Sequence, residues 1–212
     1  MDPGLGSPTR AVPDVTPPKR RGSDRPASPT RGALLDTRQV DGRQDIEVLD
    51  DDHVRGARDA RVTIVEYADV ECPYCGQAER LLQRLLQERP DVRLVYRHFP
   101  LVEVHPHAYS GALALEAAAA AGRFWELHDV LFARQDALGR RHLAAYADEL
   151  GLDPAGLLRP ASEVYDGRVR ADFAGGVALG VDGTPGLFVN GCRTDATSWS
   201  RLRAAVDVAA QG

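Results

Sequence analysis

The 212-residue chain lacks several things whose absence narrows what it can be. No run approaches the roughly 18 consecutive apolar residues of a membrane span. The first thirty residues alternate Pro, Gly, Ser, Arg and Asp without the apolar stretch of an export signal. No membrane insertion is expected, and the chain reads either as cytoplasmic or as a relative of domains that other proteins carry fused to a membrane part. Lysine is nearly missing, since Lys19 is the only one among 26 basic side chains. With 31 acidic residues the formal charge is -5, and nothing suggests a nucleic-acid partner. Cysteine is scarce as well: three residues are too few for a disulfide framework, and a reducing compartment keeps such thiols apart. A close cysteine pair in this chain is therefore catalytic or metal-binding rather than structural.

What is present reads as one globular domain behind an extension, with 43% apolar and 27% charged residues. Residues 1–45 hold seven prolines and a basic cluster at Lys19, Arg20 and Arg21, with almost no aliphatic periodicity. Such a segment buries too little apolar surface to offset its ordering entropy and is expected to be disordered, a solvated tail or an arm for an anionic partner. The folded part, 53–211, is expected to begin near His53, after the acidic run Asp50, Asp51 and Asp52.

The segment RVTIVEYAD, Arg61 to Asp69, is short and β-branched, which predicts a buried strand. Pro73 suits a first helical position, and Ala78, Leu81, Leu82, Leu85 and Leu86 keep helical spacing until Arg89-Pro90 stops it. DVRLVYRHF supplies a second strand, and β-α-β order favours a parallel pair. Residues 105–180 turn helical, with Gly122 and Gly151 at C-cap positions and Asp153-Pro154 as N-cap and N1. The last of these stretches carries Gly167, Gly175 and Gly176, each unfavourable by about 1 kcal/mol against alanine, so a loosened helix is expected there. Asn190-Gly191 then signals a hairpin, and Ser198 to Ala210 a closing helix.

ECPYCGQAERLL places Cys72 and Cys75 at the start of the first helix, as a redox couple, half of a zinc site, or two small buried hydrophobes. A thiol there faces unsatisfied backbone N–H groups and the positive end of the helix dipole, which favour thiolate. Cys72, at the exposed end, is the expected nucleophile; Cys75, one turn in, is the resolving thiol. Pro73 and Tyr74 fix the turn and limit solvent. Glu66 shares a strand face with Val62 and Ile64, so its carboxyl is either buried with a raised pKa and able to take the Cys75 proton, or solvated at a sheet edge. Zinc would need four ligands from among Cys72, Cys75, Cys192, His105 and His107 to converge. His98 and His128 are expected to be packed or at the surface, with His98 near the site as the sharper alternative. Cys192 is expected to be an ordinary strand residue. Thr184-Pro185 precedes the hairpin; a cis bond there would bring the Thr184 backbone beside the cysteines.

Taken in order, the strand with Glu66, CPYC opening a helix, YRHFPL, HPHA, GRFWELHDVLF and GTPGLFVNG resemble the DsbA-like branch of the thioredoxin superfamily over about three quarters of the chain. That resemblance implies an α/β thioredoxin fold with an inserted helical domain. It further implies dithiol-disulfide exchange at Cys72 and Cys75, a proton-handling acid at Glu66, and a cis-proline at Pro185 preceded by Thr184. Neither organic cofactor nor metal is required. Protein disulfides or dithiols are the expected substrates, with a protein or small thiol as redox partner, and the chain is expected to act as a monomer. A non-catalytic binding or regulatory module, for instance for a membrane transporter, is the alternative. Glu71, next to Cys72, is expected to raise the Cys72 pKa and oppose a strongly oxidising couple.

Overall fold

The computed structural model describes residues 42–158, 163–195 and 198–212, with the side chains of Glu163 and Val164 excepted. The expected disordered extension lies outside the described residues apart from its last few. Residues 42–52 belong to the fold, so packed chain is already present about ten residues before His53. Arg43 bridges Cys192, the Gln44 N–H donates to the Gly191 carbonyl, and Ile46 and Val48 pack on the sheet.

Five strands form one sheet in the order β1-β3-β2-β4-β5, from β1 (His53–Arg55), β2 (Val62–Ala68), β3 (Val92–His98), β4 (Gly186–Val189) and β5 (Cys192–Thr194). β2 and β3 are parallel, joined through α1 (Pro73–Glu88); every other pairing is antiparallel. The central strand β2 alternates its side chains between two covered faces. Val62 and Ile64 pack against Leu82 and Leu85 of α1 and Leu202 and Val206 of α7 (Trp199–Ala209). Val65 and Tyr67 join Val95, Phe99 and Phe188 on the opposite side. Turn chemistry pins the β4-β5 hairpin, because Asn190 and Gly191 both take positive φ, 43° and 84°. The three-residue β1 carried no sequence signal, being half-buried throughout.

Between β3 and β4 runs the helical insertion: α2 (Ala108–Ala120), α3 (Phe124–Ala133), α4 (Arg140–Glu149), α5 (Pro154–Leu157) and α6 (Glu163–Ala178). Asp153 caps α5, its carboxylate accepting from the N–H groups of Ala155 and Gly156. The glycines read as loosening the last stretch do not interrupt it, since α6 runs unbroken through Gly167, Gly175 and Gly176, and Gly176 has a packing role. A Cβ on Gly176 would lie 2.7 Å from the Phe99 ring and 2.9 Å from that of Tyr67. The missing side chain lets α6 lie close against the sheet, and packing outweighs the propensity lost. Among the described residues no helix is long and apolar enough to cross a membrane.

Candidate active site

Cys72 is the N-cap of α1, with Pro73 at the first helical position, so the loop from Asp69 to Glu71 delivers its sulfur to the helix N-terminus. Cys72 is the outer of the two thiols but is itself covered: it is 3% exposed and Cys75 fully buried. Its cover is the loop before β4, where the Thr184-Pro185 bond is cis and the Thr184 carbonyl accepts a hydrogen bond from the Cys72 thiol at 3.4 Å. Tyr74, 59% exposed, marks the open side of the site.

The two sulfurs are electrostatically opposed. A hydrogen bond from the Cys75 thiol does most to lower the Cys72 pKa, to about 5, against burial, which would raise it. Cys75 is pushed well above the usual thiol range by burial first, then by its hydrogen bond to Cys72 and by the Glu66 charge. The Asp69 N–H donates to the Cys75 sulfur at 3.5 Å. The Glu71 carboxylate accepts the His107 N–H at 2.6 Å, and the thiolate stays favoured beside it.

Glu66 lies on the central strand, paired with Tyr96 on one side and Leu187 on the other, so the solvated edge position is ruled out. The residue is fully buried and neither carboxyl oxygen has a hydrogen-bond partner. Burial, then Glu79, then Cys72 raise its pKa well above the usual carboxylate range. Sequence reasoning missed Glu79, a second carboxyl buried beneath the cysteines, held by Gln83 at 3.0 Å. Its signal was available: a charged residue within the apolar stripe Cys75, Ala78, Leu82, four residues after Cys75.

The zinc ligand set does not assemble. His105 bonds the buried Asp69 carboxylate at 2.8 Å, and Cys192 is exposed on β5. Among the described residues, His53, His98 and Glu116 do converge, as do Glu79, His128 and Asp129. In the first group both imidazole Nε2 atoms bond the same Glu116 oxygen, at 2.6 and 2.8 Å, a contact too close to admit an ion without spreading. That group is a clamp tying β1 and β3 to α2. His98 is thus held by Glu116, and His128 is fully buried in the aromatic cluster with Tyr96 and Phe124.

Burial would raise the Glu116 carboxyl, but the bonds from His53 and His98 outweigh it and hold it well below the usual range. Burial lowers His53 below the usual imidazole value despite Glu116. Both depressed values act in one direction: the contribution is complete above about pH 6.5 and is lost on acidification, as the unfolded chain protonates first. Glu116→Gln is expected to cost about 2 kcal/mol at pH 7 and to flatten the fall of Tm between pH 7 and 4. A pH series of melting curves on both proteins checks this.

A five-stranded mixed sheet with a buried dithiol at a helix N-terminus, faced by a cis-proline loop, defines a thioredoxin-fold dithiol protein. The thioredoxin family matches residues 49–208, and the chain belongs to it, in its DsbA-like branch. A thioredoxin-like oxidoreductase from Silicibacter pomeroyi DSS-3 superposes with TM-score 0.69 at 30% identity, over 76% of this chain and 93% of that one. DsbA2 of Pseudomonas aeruginosa gives 0.64 at 32%, over 76% and 96%. The Na(+)/H(+) antiporter NhaA 3 of Salinispora tropica is 51% identical over 148 residues, 68% of this chain but 22% of that protein. The chain thus spans about a fifth of the length of this curated relative.

Proposed function

We propose that the protein is a thiol-disulfide oxidoreductase. The Cys72 thiolate attacks one sulfur of a substrate disulfide, forming a mixed disulfide and releasing the other substrate sulfur as a thiolate. Glu66 takes the Cys75 proton, and the Cys75 thiolate attacks Cys72, closing the Cys72–Cys75 disulfide and expelling the second substrate thiol. Run backwards, the same steps oxidise a substrate dithiol. A partner protein or small thiol restores the starting state. One observation carries the reading: two thiols one turn apart at the N-terminus of α1, the outer one against the Thr184-Pro185 loop, with the buried carboxyl of Glu66 on the adjoining central strand.

Thiolate stabilisation favours the reduced form of the couple, which makes its disulfide the better oxidant. Equilibration in glutathione buffers with thiol quantification is expected to give a potential above about -180 mV, against about -270 mV for thioredoxin. A value near the latter favours reduction of substrate disulfides over oxidation of substrate dithiols, and failure to form an intramolecular disulfide at any ratio removes the exchange reading.

The antiporter likeness supports a second reading, a module that regulates a membrane transporter through the same groove. Turnover separates the two, because regulation by binding alone requires neither cysteine.

A further inference from the structure

We infer that Gln135, in the connection from α3 to α4, is a positioning residue for the Cys72 thiolate, so that the helical insertion helps set the acidity of the nucleophile. This rests on the exchange reading above. The Gln135 amide donates to two backbone carbonyls of the active-site loop, Val70 at 2.9 Å and Cys72 at 2.8 Å. The Cys72 carbonyl also accepts the Gly76 N–H at 3.2 Å, the first bond of α1. One side chain therefore grips the N-cap residue on the carbonyl side and holds its sulfur at the N-terminus of α1, where the peptide dipoles of the first turn favour thiolate.

Gly76, directly after CPYC, is matched to this grip. A Cβ there would lie 2.2 Å from the Gln135 Oε1, so any larger residue displaces the amide. The insertion holds the same loop at other points: a Cβ on Gly111 of α2 would lie 2.5 Å from the Val70 side chain, His105 bonds Asp69, and the His107 N–H bonds Glu71. Of these contacts only Gln135 reaches the peptide of the nucleophile itself. If the loop relaxes, the sulfur moves off the N-terminus of α1 and the thiolate loses part of the helix-end field that favours it.

The test is a pH titration of thiolate absorbance near 240 nm on the full chain, with far-UV circular dichroism as the control for fold. Gln135→Leu keeps the size and removes both donors. Gly76→Ala improves helix propensity and displaces only the flexible end of Gln135, so this variant folds even if the first does not. Each is expected to raise the Cys72 pKa by about one unit, a roughly tenfold loss of thiolate below the midpoint. The double variant is expected to shift no further than either single, because both remove one interaction. Gln135→Lys, which restores donors to the same carbonyls, is expected to bring the value back. An unchanged pKa in folded Gln135→Leu or Gly76→Ala, additive shifts, or no rescue by lysine overturns the inference. A wild-type protein without an acidic thiol instead overturns the exchange reading beneath it.

Discussion

Cys72→Ser is expected to abolish disulfide exchange, lowering the rate of a dithiothreitol-driven model disulfide reduction by about four orders of magnitude or more. A serine hydroxyl at the same N-cap stays protonated, and an alkoxide is a poor nucleophile toward sulfur, so none of the stabilisation built around the Cys72 sulfur has an object. The fold should persist, since Cys72 is one small residue at the rim of a core built from many larger ones. Cys75→Ser is expected to behave differently. Attack by Cys72 proceeds, resolution does not, and a one-to-one covalent adduct accumulates that mass spectrometry under non-reducing conditions detects. Residual turnover at the wild-type rate in Cys72→Ser would remove that residue from the reaction. Absence of the adduct in Cys75→Ser would reverse the order assigned to the two thiols.

Glu66→Leu is expected to yield a more stable and slower protein. The wild-type carboxyl is fully buried with both oxygens unpartnered, beside a second buried carboxyl at Glu79. Replacing it with an apolar side chain of similar volume, next to Leu187 and Tyr96, removes that penalty, about 2 kcal/mol or more at pH 7. The pH dependence identifies the cause. A carboxyl with a raised folded-state pKa leaves stability intact below about pH 4.5. Between there and the folded-state value the unfolded chain ionises while the folded one does not, and stability falls by about 1.4 kcal/mol per pH unit. The advantage of Glu66→Leu over wild type should therefore widen from pH 4.5 upward, opposite in sign to the clamp at Glu116. Exchange near neutral pH should fall by about 100-fold, because Cys75 loses its proton acceptor. Denaturant unfolding and turnover measured at matched pH check both halves; equal stability of the two proteins at pH 7 would contradict the buried-charge account.

The unit from Arg61 to Phe99 was legible because its signals are local: period two in β2 and β3, period 3.6 in α1, and proline at the first helical position. Glu66 could be read by the same rule, as a charge on an apolar face. Gly176 was misread because propensity reports on the chain in isolation, whereas the aromatic rings it accommodates arrive from residues 67 and 99. β1 is too short and too evenly half-buried to show a period. The Thr184 backbone beside Cys72 was reached only through the Thr184-Pro185 motif, while the Gln135 grip and the His53 arm of the Glu116 clamp each join partners 63 residues apart. No window along the chain contains both members of any of these contacts.

The helical insertion separates β2 from β4, so the pairing of Ile64 with Val189 spans 125 positions while β2 and β3 join across a single helix. Closing the longer loop costs more chain entropy, and contacts so remote in sequence form late. During synthesis the β2-α1-β3 unit can therefore assemble with both cysteines in place before Thr184 has been made. In that interval the thiols lack the carbonyl lid that limits Cys72 to 3% exposure in the finished protein. The nascent chain passes through a stage in which its most reactive sulfur is also its least protected.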